Sequence, residues 1–437
     1  MKEDNSNTSF SKIQHDLSRT VGLNTKYFVW MTFLTVALVV CLYAYFVQLK
    51  NGLGVTGMRD FISWGMYISN FVFFIATSLV GLLISSILGL SGQKWITPIS
   101  RIAEILAVAF AIVAGLVIVS DMGRPDRVLH LLFYGRLQSP IIWDITVVIT
   151  YVVMSVLLLY LPLIPDTYAL KNYKTFPKWQ QKLYKFLSAG WSGRPEQIAI
   201  VKKSIRILLI LIIPVGLAIH TVTSWLFATT SRVGWDSTIF GPYFVAGAFV
   251  AGVGAVIVAM YFFRINYKLK EYLTDLHFDK MGKLLVLVMF VYIYFNINEF
   301  LVPGFKLKSD DAVHLKELFT GHWSTLFWFA IIPCMIIPTI LMFFTKMRKP
   351  FPMLIISLFV IIGAWIKRYL IVVPTMSHPF LPVQNVSEEY VVYSPTAVEI
   401  LVTAASFIIV LLIVSVLAKV FPIIPMWEYE HEQKENE

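Results

Sequence analysis

The sequence predicts an all-α integral membrane protein with about ten transmembrane helices. Three observations carry this prediction. Of 437 residues, 57% are hydrophobic and 14% are charged, whereas soluble domains run near one quarter charged. The apolar runs are about twenty residues long, one bilayer crossing each, where barrel strands need only about ten alternating residues. Lys and Arg also concentrate on alternate connections between those runs.

The predicted helices lie near 28–49, 61–90, 99–120, 141–164, 203–229, 240–263, 283–302, 323–345, 351–373 and 397–421. The first follows the polar stretch MKEDNSNTSFSKIQHDLSR. That stretch is expected to be an exposed arm, not a cleaved signal peptide. The tail EYEHEQKENE is expected to be exposed too. Twenty-five Lys and Arg flank the N-terminus, the 2–3, 4–5, 6–7 and 8–9 connections and the C-terminus, against nine on the other connections. The positive-inside rule then places both termini in the cytoplasm of a bacterial or archaeal cell, with the protein in the inner membrane. The net charge of +10 is thus assigned to topology, and no nucleic-acid partner is expected. The inner connection 165–206, containing KNYKTFPKWQQKLYKF, is either purely topogenic or an interfacial amphipathic helix. Cys41 and Cys334 each sit in an apolar run and are expected to be small buried hydrophobes.

A short internal likeness suggests the organisation. Helix two opens WGMYISNFVFFIATSLVGLLI and helix six opens FGPYFVAGAFVAGVGAVIVAM, an offset of 176 residues or four helices. Small residues recur in both and let helices pack closely in lipid. Two four-helix bundles, helices 2–5 and 6–9, are therefore expected, with helices one and ten flanking. In residues this gives a cytoplasmic arm 1–27, a first helix and loop 28–60, a first bundle 61–230 and a second bundle 231–373. An outer loop and last helix span 374–421, and a cytoplasmic tail spans 422–437.

Ionisable groups within or beside the membrane are the informative ones, because each is expensive there. The set is Glu104, Asp121, Arg124, His130, Asp144, His220, Glu299, Lys367, Arg368 and Glu399. The stretch SDMGRPDRVLH, residues 120–130, crowds such groups at the outer end of helix three. Asp144 lies one turn into helix four, after Ser139 as a candidate cap and Pro140 in the first turn. A short 3–4 connection brings His130 and Asp144 within expected reach, an imidazole and carboxylate suited to accepting protons. The alternative is a structural cluster in which arginines neutralise aspartates. His220 is the one deep histidine, so the usual bis-histidine haem pair is not expected. Lys367 and Arg368 are expected to pair with Glu299 or Glu399, or to snorkel outward.

Six stretches together resemble one family: SWGMYISNFVFF, SDMGRPDRVLHLL with GRLQSPIIWD, SGRPEQ with HTVTSWLFA, GWDSTIFGPYFVAGA, NEFLVPGFK, and WIKRYLIVVPT with SPTAVE. In order and spacing they resemble the NrfD/PsrC (polysulfide reductase membrane subunit) family, over about residues 28–421. The ten-helix members, such as the quinol-oxidising subunit of alternative complex III, are the nearer likeness. The resemblance implies a quinone-reactive membrane subunit of a respiratory oxidoreductase. Menaquinone or ubiquinone would be its substrate, and the chain itself would bind no haem, iron–sulfur cluster or metal. It implies an iron–sulfur partner on the outer, periplasmic face, joined to a molybdopterin enzyme or multihaem cytochrome. It implies that His130 and Asp144 contact quinol, and that Trp64, Tyr67 and Asn70 line the pocket with Asp121 and Arg124 nearby. Helix nine reads WIKRY where some relatives carry an acidic residue before the arginine, so no carboxylate proton path is carried over at Lys367. Glu104, His220 and Glu299 are the candidates for a proton relay across the bundles.

Two other classes compete. A secondary transporter would fit repeated bundles with buried charges, but it calls for polar breaks near the midplane. A membrane anchor without quinone chemistry is the third. The topology itself is testable: a fluorescent protein fused after residue 437 is expected to fluoresce in cells, and alkaline phosphatase at the same point is expected to be inactive.

Overall fold

The computed structural model describes Val21 and residues 24–60, 62–173, 176–230, 232–377 and 392–429. Residues 1–20 of the expected arm, 378–391 of the expected outer loop and 430–437 of the expected tail lie outside the described residues. Ten helices among those described are long and apolar enough to cross a membrane. We label them α1 (Thr25–Asn51), α2 (Met66–Leu90), α3 (Thr97–Asp121), α4 (Pro140–Leu170), α5 (Pro195–Ala228), α6 (Phe240–Asn266), α7 (Asp275–Lys306), α8 (Ser324–Leu341), α9 (Pro350–Met376) and α10 (Ala397–Val420). The chain is an all-α, multi-pass membrane protein.

Boundaries differ from expectation where local chemistry overrides hydropathy. The α2 helix starts at Met66, not near 61, because its first N–H is taken by the Tyr393 hydroxyl at 2.9 Å. Gly65 at this start lies so close to the Tyr393 ring that a Cβ would sit 2.5 Å from its hydroxyl. The α4 helix runs past the end that hydropathy suggested and α5 begins before it, so Lys202 and Lys203 lie in α5 instead of a loop. Between them the expected amphipathic helix forms at Lys178–Leu187. Its Tyr184 hydroxyl donates to the Val420 carbonyl at 2.6 Å, while Trp179 and Phe186 are exposed. The α8 helix is interrupted by a π segment, Ile332–Ile336, which contains Pro333 and is followed by Pro338 in the next α-helical turn. Proline withdraws its N–H from the ladder, and widened turns of this kind are one response.

The α2 helix is the centre of the packing. It contacts α3, α5, α6 and α9, and α6 in turn contacts α5, α7 and α9. The α4 helix packs on α3 and α5, α8 packs on α9, and α1 pairs with α10. Small residues set the closest approaches: a Cβ on Gly81 would collide with the Ala103 carbonyl, and one on Gly252 would collide with the Val80 side chain. Both cysteines are buried and free.

Buried charges are held by partners within the protein. Arg101 is fully buried and lies 3.1 Å from Asp166 and 3.5 Å from Glu104. Asp166 also accepts N–H groups from Trp427 at 3.0 Å and Met426 at 3.4 Å. By hydropathy alone Arg101 reads as a flanking charge and Asp166 as part of a loop. Glu399, with no exposed surface, accepts from the Tyr393 hydroxyl at 2.6 Å and from the backbone of Gly57 at 2.7 Å and Thr396 at 2.9 Å. With Thr396 it forms a capping box at the start of α10. Burial, with Glu399 beside it, pushes the Tyr393 hydroxyl's pKa up, so it stays a donor to that carboxylate.

Asp166→Ala would leave Arg101 buried with its main acceptor gone. Breaking such a pair costs about 3–5 kcal/mol, so a clearly lower melting midpoint in detergent is expected. Gly252→Leu should cost about 1–3 kcal/mol by overpacking α6 against α2, read by the same melt.

Candidate functional site

The start of α2 gathers most of the sequence-predicted site residues, in two adjoining groups. The first depends on α5. Thr223 and Phe227 stand one turn apart on that helix and so share a face. The Thr223 hydroxyl donates to Asp144 Oδ1 at 2.5 Å, and both residues are buried. Phe227 meets the Trp64 ring edge-on at 5.4 Å, and Trp64 stacks on Trp235 at 5.9 Å. Trp235 is locked in turn by its indole N–H, which donates to the Ile371 carbonyl at 2.7 Å. Asp144 thereby sits close to an aromatic wall contributed by three separate parts of the chain.

The second group joins α1, α2 and α3. The Tyr67 hydroxyl donates to Gln48 at 2.6 Å, and Gln48 donates to the Ser120 carbonyl at 2.7 Å. Asp121 follows Ser120 at the end of α3, and its buried Oδ1 has no hydrogen-bond partner. Three residues along α2 from Tyr67, Asn70 accepts from the Trp365 indole and donates to Thr403, each at 2.7 Å. The polar atoms of Tyr67 and Asn70 are therefore engaged in holding α2 to α1, α9 and α10.

Three expectations need correction. His130 is exposed and lies edge-on to Tyr134 at 5.4 Å, whereas Asp144 is buried against α5. Among the described residues no hydrogen bond or ion pair joins His130 to Asp144. The short 3–4 connection does approximate the helix ends, but the turn at Pro125–Arg127 and the short helix His130–Tyr134 carry the imidazole away to the surface. Arg124 does not neutralise Asp121. It pairs at 3.0 Å with Asp126 in an exposed fork whose hydrogen bond lowers the Asp126 pKa. Ser139 occupies the N-cap of α4, yet its hydroxyl makes no cap bond; the backbone carbonyl alone receives Ile142 and Trp143.

The proton-relay candidates are separate. Glu104 is beside Arg101, at the end of α3 opposite Asp121. His220 is buried within α5, its Nε2 without a hydrogen-bond partner. Glu299 lies 3.3 Å from Lys367. Among the described residues no hydrogen bond or ion pair connects these three groups. Of the two pairings expected for the α9 cations, Lys367–Glu299 forms. Arg368 instead donates to the Phe244 carbonyl at 3.2 Å and faces that ring at 4.6 Å. A cavity of about 10 Å³, lined by Tyr292, Asn296, Cys334 and Lys367 among others, adjoins the π segment of α8. It has room for about one water.

Gln48, Thr223, Trp235 and Trp365 escape a reading of the sequence. Gln48 offers a signal, as an amide inside an otherwise apolar helix. Trp235 and Trp365 lie inside the family-like stretches GWDSTIFGPYFVAGA and WIKRYLIVVPT, but which ring or amide each one meets is set by three-dimensional neighbours that the stretches do not name.

Known proteins are similar in sequence to much of this chain. A selenate reductase subunit from Mesobacillus selenatarsenatis is 25% identical over 423 residues, covering 94% of this chain and 97% of that protein. A menaquinone reductase integral membrane subunit from Nitratidesulfovibrio vulgaris is 23% identical, covering 82% and 83%. A Halobacterium salinarum chain, provisionally named as a dimethyl sulfoxide reductase membrane subunit, is 33% identical over 230 residues. That match spans 52% of this chain and half of the Halobacterium protein. The family model for polysulphide reductase, NrfD, matches residues 54–378, which contain most of both groups at the start of α2. The chain belongs to the NrfD polysulphide reductase family.

Proposed function

We propose that the chain is the quinone-reactive membrane subunit of a multisubunit oxidoreductase. It would exchange electrons between the membrane quinone pool and an iron–sulfur partner on the outer face. The observation that carries this reading is the convergence at the start of α2. Asp144 is buried and held by Thr223, one turn along α5 from the Phe227 that meets Trp64, and half-buried Asp121, at the end of α3 beside the Tyr67–Gln48–Ser120 link, keeps its buried Oδ1 without a partner. That set fits a flat, two-electron carrier whose hydroxyl groups need acceptors. The names of relatives as selenate, dimethyl sulfoxide and menaquinone reductase subunits agree with it.

In this reading a bound quinol supplies two electrons and two protons. Asp121 Oδ1 accepts a hydrogen bond from the head group, and Asp144, oriented by Thr223, takes up a proton. Trp64 stacks on Trp235 to form the wall, while Tyr67 and Asn70 hold α2 in place behind it. His130 serves as an exposed acceptor at the outer surface, and no longer as the partner of Asp144. Arg124 belongs to the surface on which the iron–sulfur subunit, with a molybdopterin or multihaem partner beyond it, would dock. The chain carries no redox group of its own in this scheme. The helices would fall into the two bundles 61–230 and 231–373, with most of the site in the first and Trp235 contributed by the second. The membrane is the cell inner membrane, both termini are cytoplasmic, and the likeness to the alternative complex III subunit is part of the same proposal. Proton translocation would need Glu104, His220 and Glu299 to be bridged, and no such bridge is proposed.

The test uses the assembled complex. Asp144→Asn and Asp121→Asn should each slow quinol turnover by about 10²–10⁴-fold, the usual worth of a positioned acid or base. Electron transfer between the partner subunits and a soluble dye should be unchanged. Unaltered quinol turnover would favour the anchor reading. Substrate uptake by the single chain in liposomes would favour a transporter.

A further inference from the structure

The opposite end of the first helices holds a second, separate feature. A cavity of about 450 Å³ lies among α2, α3, α4, α5 and the segment at Trp427. Three kinds of surface meet in it. Leu90, Leu158 and Leu209 contribute an apolar wall. Lys202 and Arg206 contribute cations, four residues apart and so on one face of α5. Among the described residues neither has a carboxylate within ion-pairing distance, and Lys202 Nζ instead lies 5.7 Å from the Trp427 ring. Ser85 and Glu104 contribute a polar floor, and Glu428 adds a second carboxylate to the lining.

That floor has hydrogen-bonding capacity left over. Ser85 is 6% and Glu104 7% exposed, and both Ser85 Oγ and Glu104 Oε2 are buried without a hydrogen-bond partner. Arg101 approaches Glu104 only at 3.5 Å and is shared with Asp166. Polar atoms buried in this way carry a desolvation penalty unless something supplies a partner. Aliphatic wall, paired cations and a buried acceptor together describe an amphiphile with a phosphate and a donor beyond it. The two carboxylates disfavour a head group bearing a second negative charge. A tryptophan beside the cations matches the usual residue of the membrane interface.

We propose that this cavity is a specific phospholipid site for an amine-bearing head group. The phosphodiester lies against Lys202 and Arg206, the ethanolamine ammonium donates to Glu104 and Ser85, and the acyl chains follow the leucine wall. The site is independent of the quinone reading.

The full chain, purified and delipidated in detergent, tests this by native mass spectrometry and melting. The probes are phosphatidylethanolamine, phosphatidylcholine, phosphatidylglycerol and inorganic phosphate. One retained phosphatidylethanolamine and a raised melting midpoint are expected, with inorganic phosphate giving neither. The double variant Lys202→Ala, Arg206→Ala should bind that lipid about tenfold more weakly, the worth of a lost charge-assisted contact. Both side chains are exposed, so its lipid-free melt should match the parent chain. Glu104→Gln should erase the preference for ethanolamine over choline while leaving choline-lipid binding unchanged. Undiminished binding by the double variant would overturn the site. Equal protection by inorganic phosphate would show a free-anion site instead of a lipid one. Choline or glycerol lipid binding as tightly as ethanolamine lipid would overturn the head-group assignment.

Discussion

A charged group at the hydrocarbon depth of this protein is costly unless a partner inside the chain holds it, and most of the buried charges here have one. That constraint explains more of the architecture than apolar burial does, because lipid solvates an isoleucine as well as another helix can. Arg101 is the clearest case. It sits fully buried among Asp166, Glu104 and the backbone at Pro422, so α3, α4 and the segment after α10 are tied at one point. Glu399 does the same at the opposite end, gathering Gly57, Tyr393 and Thr396 around one carboxylate. Helices that lipid alone would leave indifferent to one another are thereby given a unique register.

The start of α2 is where this constraint and the candidate chemistry meet. Tyr67 and Asn70 spend their hydrogen bonds on neighbouring helices, and Trp64 is fixed by Phe227 and Trp235. The result is a rigid frame around two carboxylates. One of them, Asp144, is oriented by Thr223, and the other, Asp121, keeps one oxygen unpaired. A frame so fully satisfied, with one acceptor left over, is what a site needs if the last partner is to come from outside.

Much of this was legible from the residues alone. All ten apolar helices are present about where hydropathy put them, with ends shifted by a few residues, since that signal is summed over about twenty residues. Single contacts were not legible. Glu399, expected as a partner for the α9 cations, instead closes a capping box with Thr396 at the start of α10. His130 and Asp144 are near in sequence order and helix order, yet an intervening turn points one to solvent and the other to α5. Asp166 was hidden because α4 outruns its apolar stretch, which hydropathy cannot see once Pro165 and polar residues begin. The π segment of α8 depends on how two prolines are accommodated, and composition does not distinguish a kink from a widened turn.

The grip of Asp166 on the backbone at Met426 and Trp427 has a consequence for how the molecule is made. The two ends of that contact are separated by 260 residues. While the chain emerges, α3 and α4 can enter the bilayer early, but their clasp lacks its final ligands until α10 and the segment beyond it have been added. The clasp of the first half is thus complete only when the segment after α10 is in place, and a product cut short before α10 would leave Asp166 without those two backbone donors.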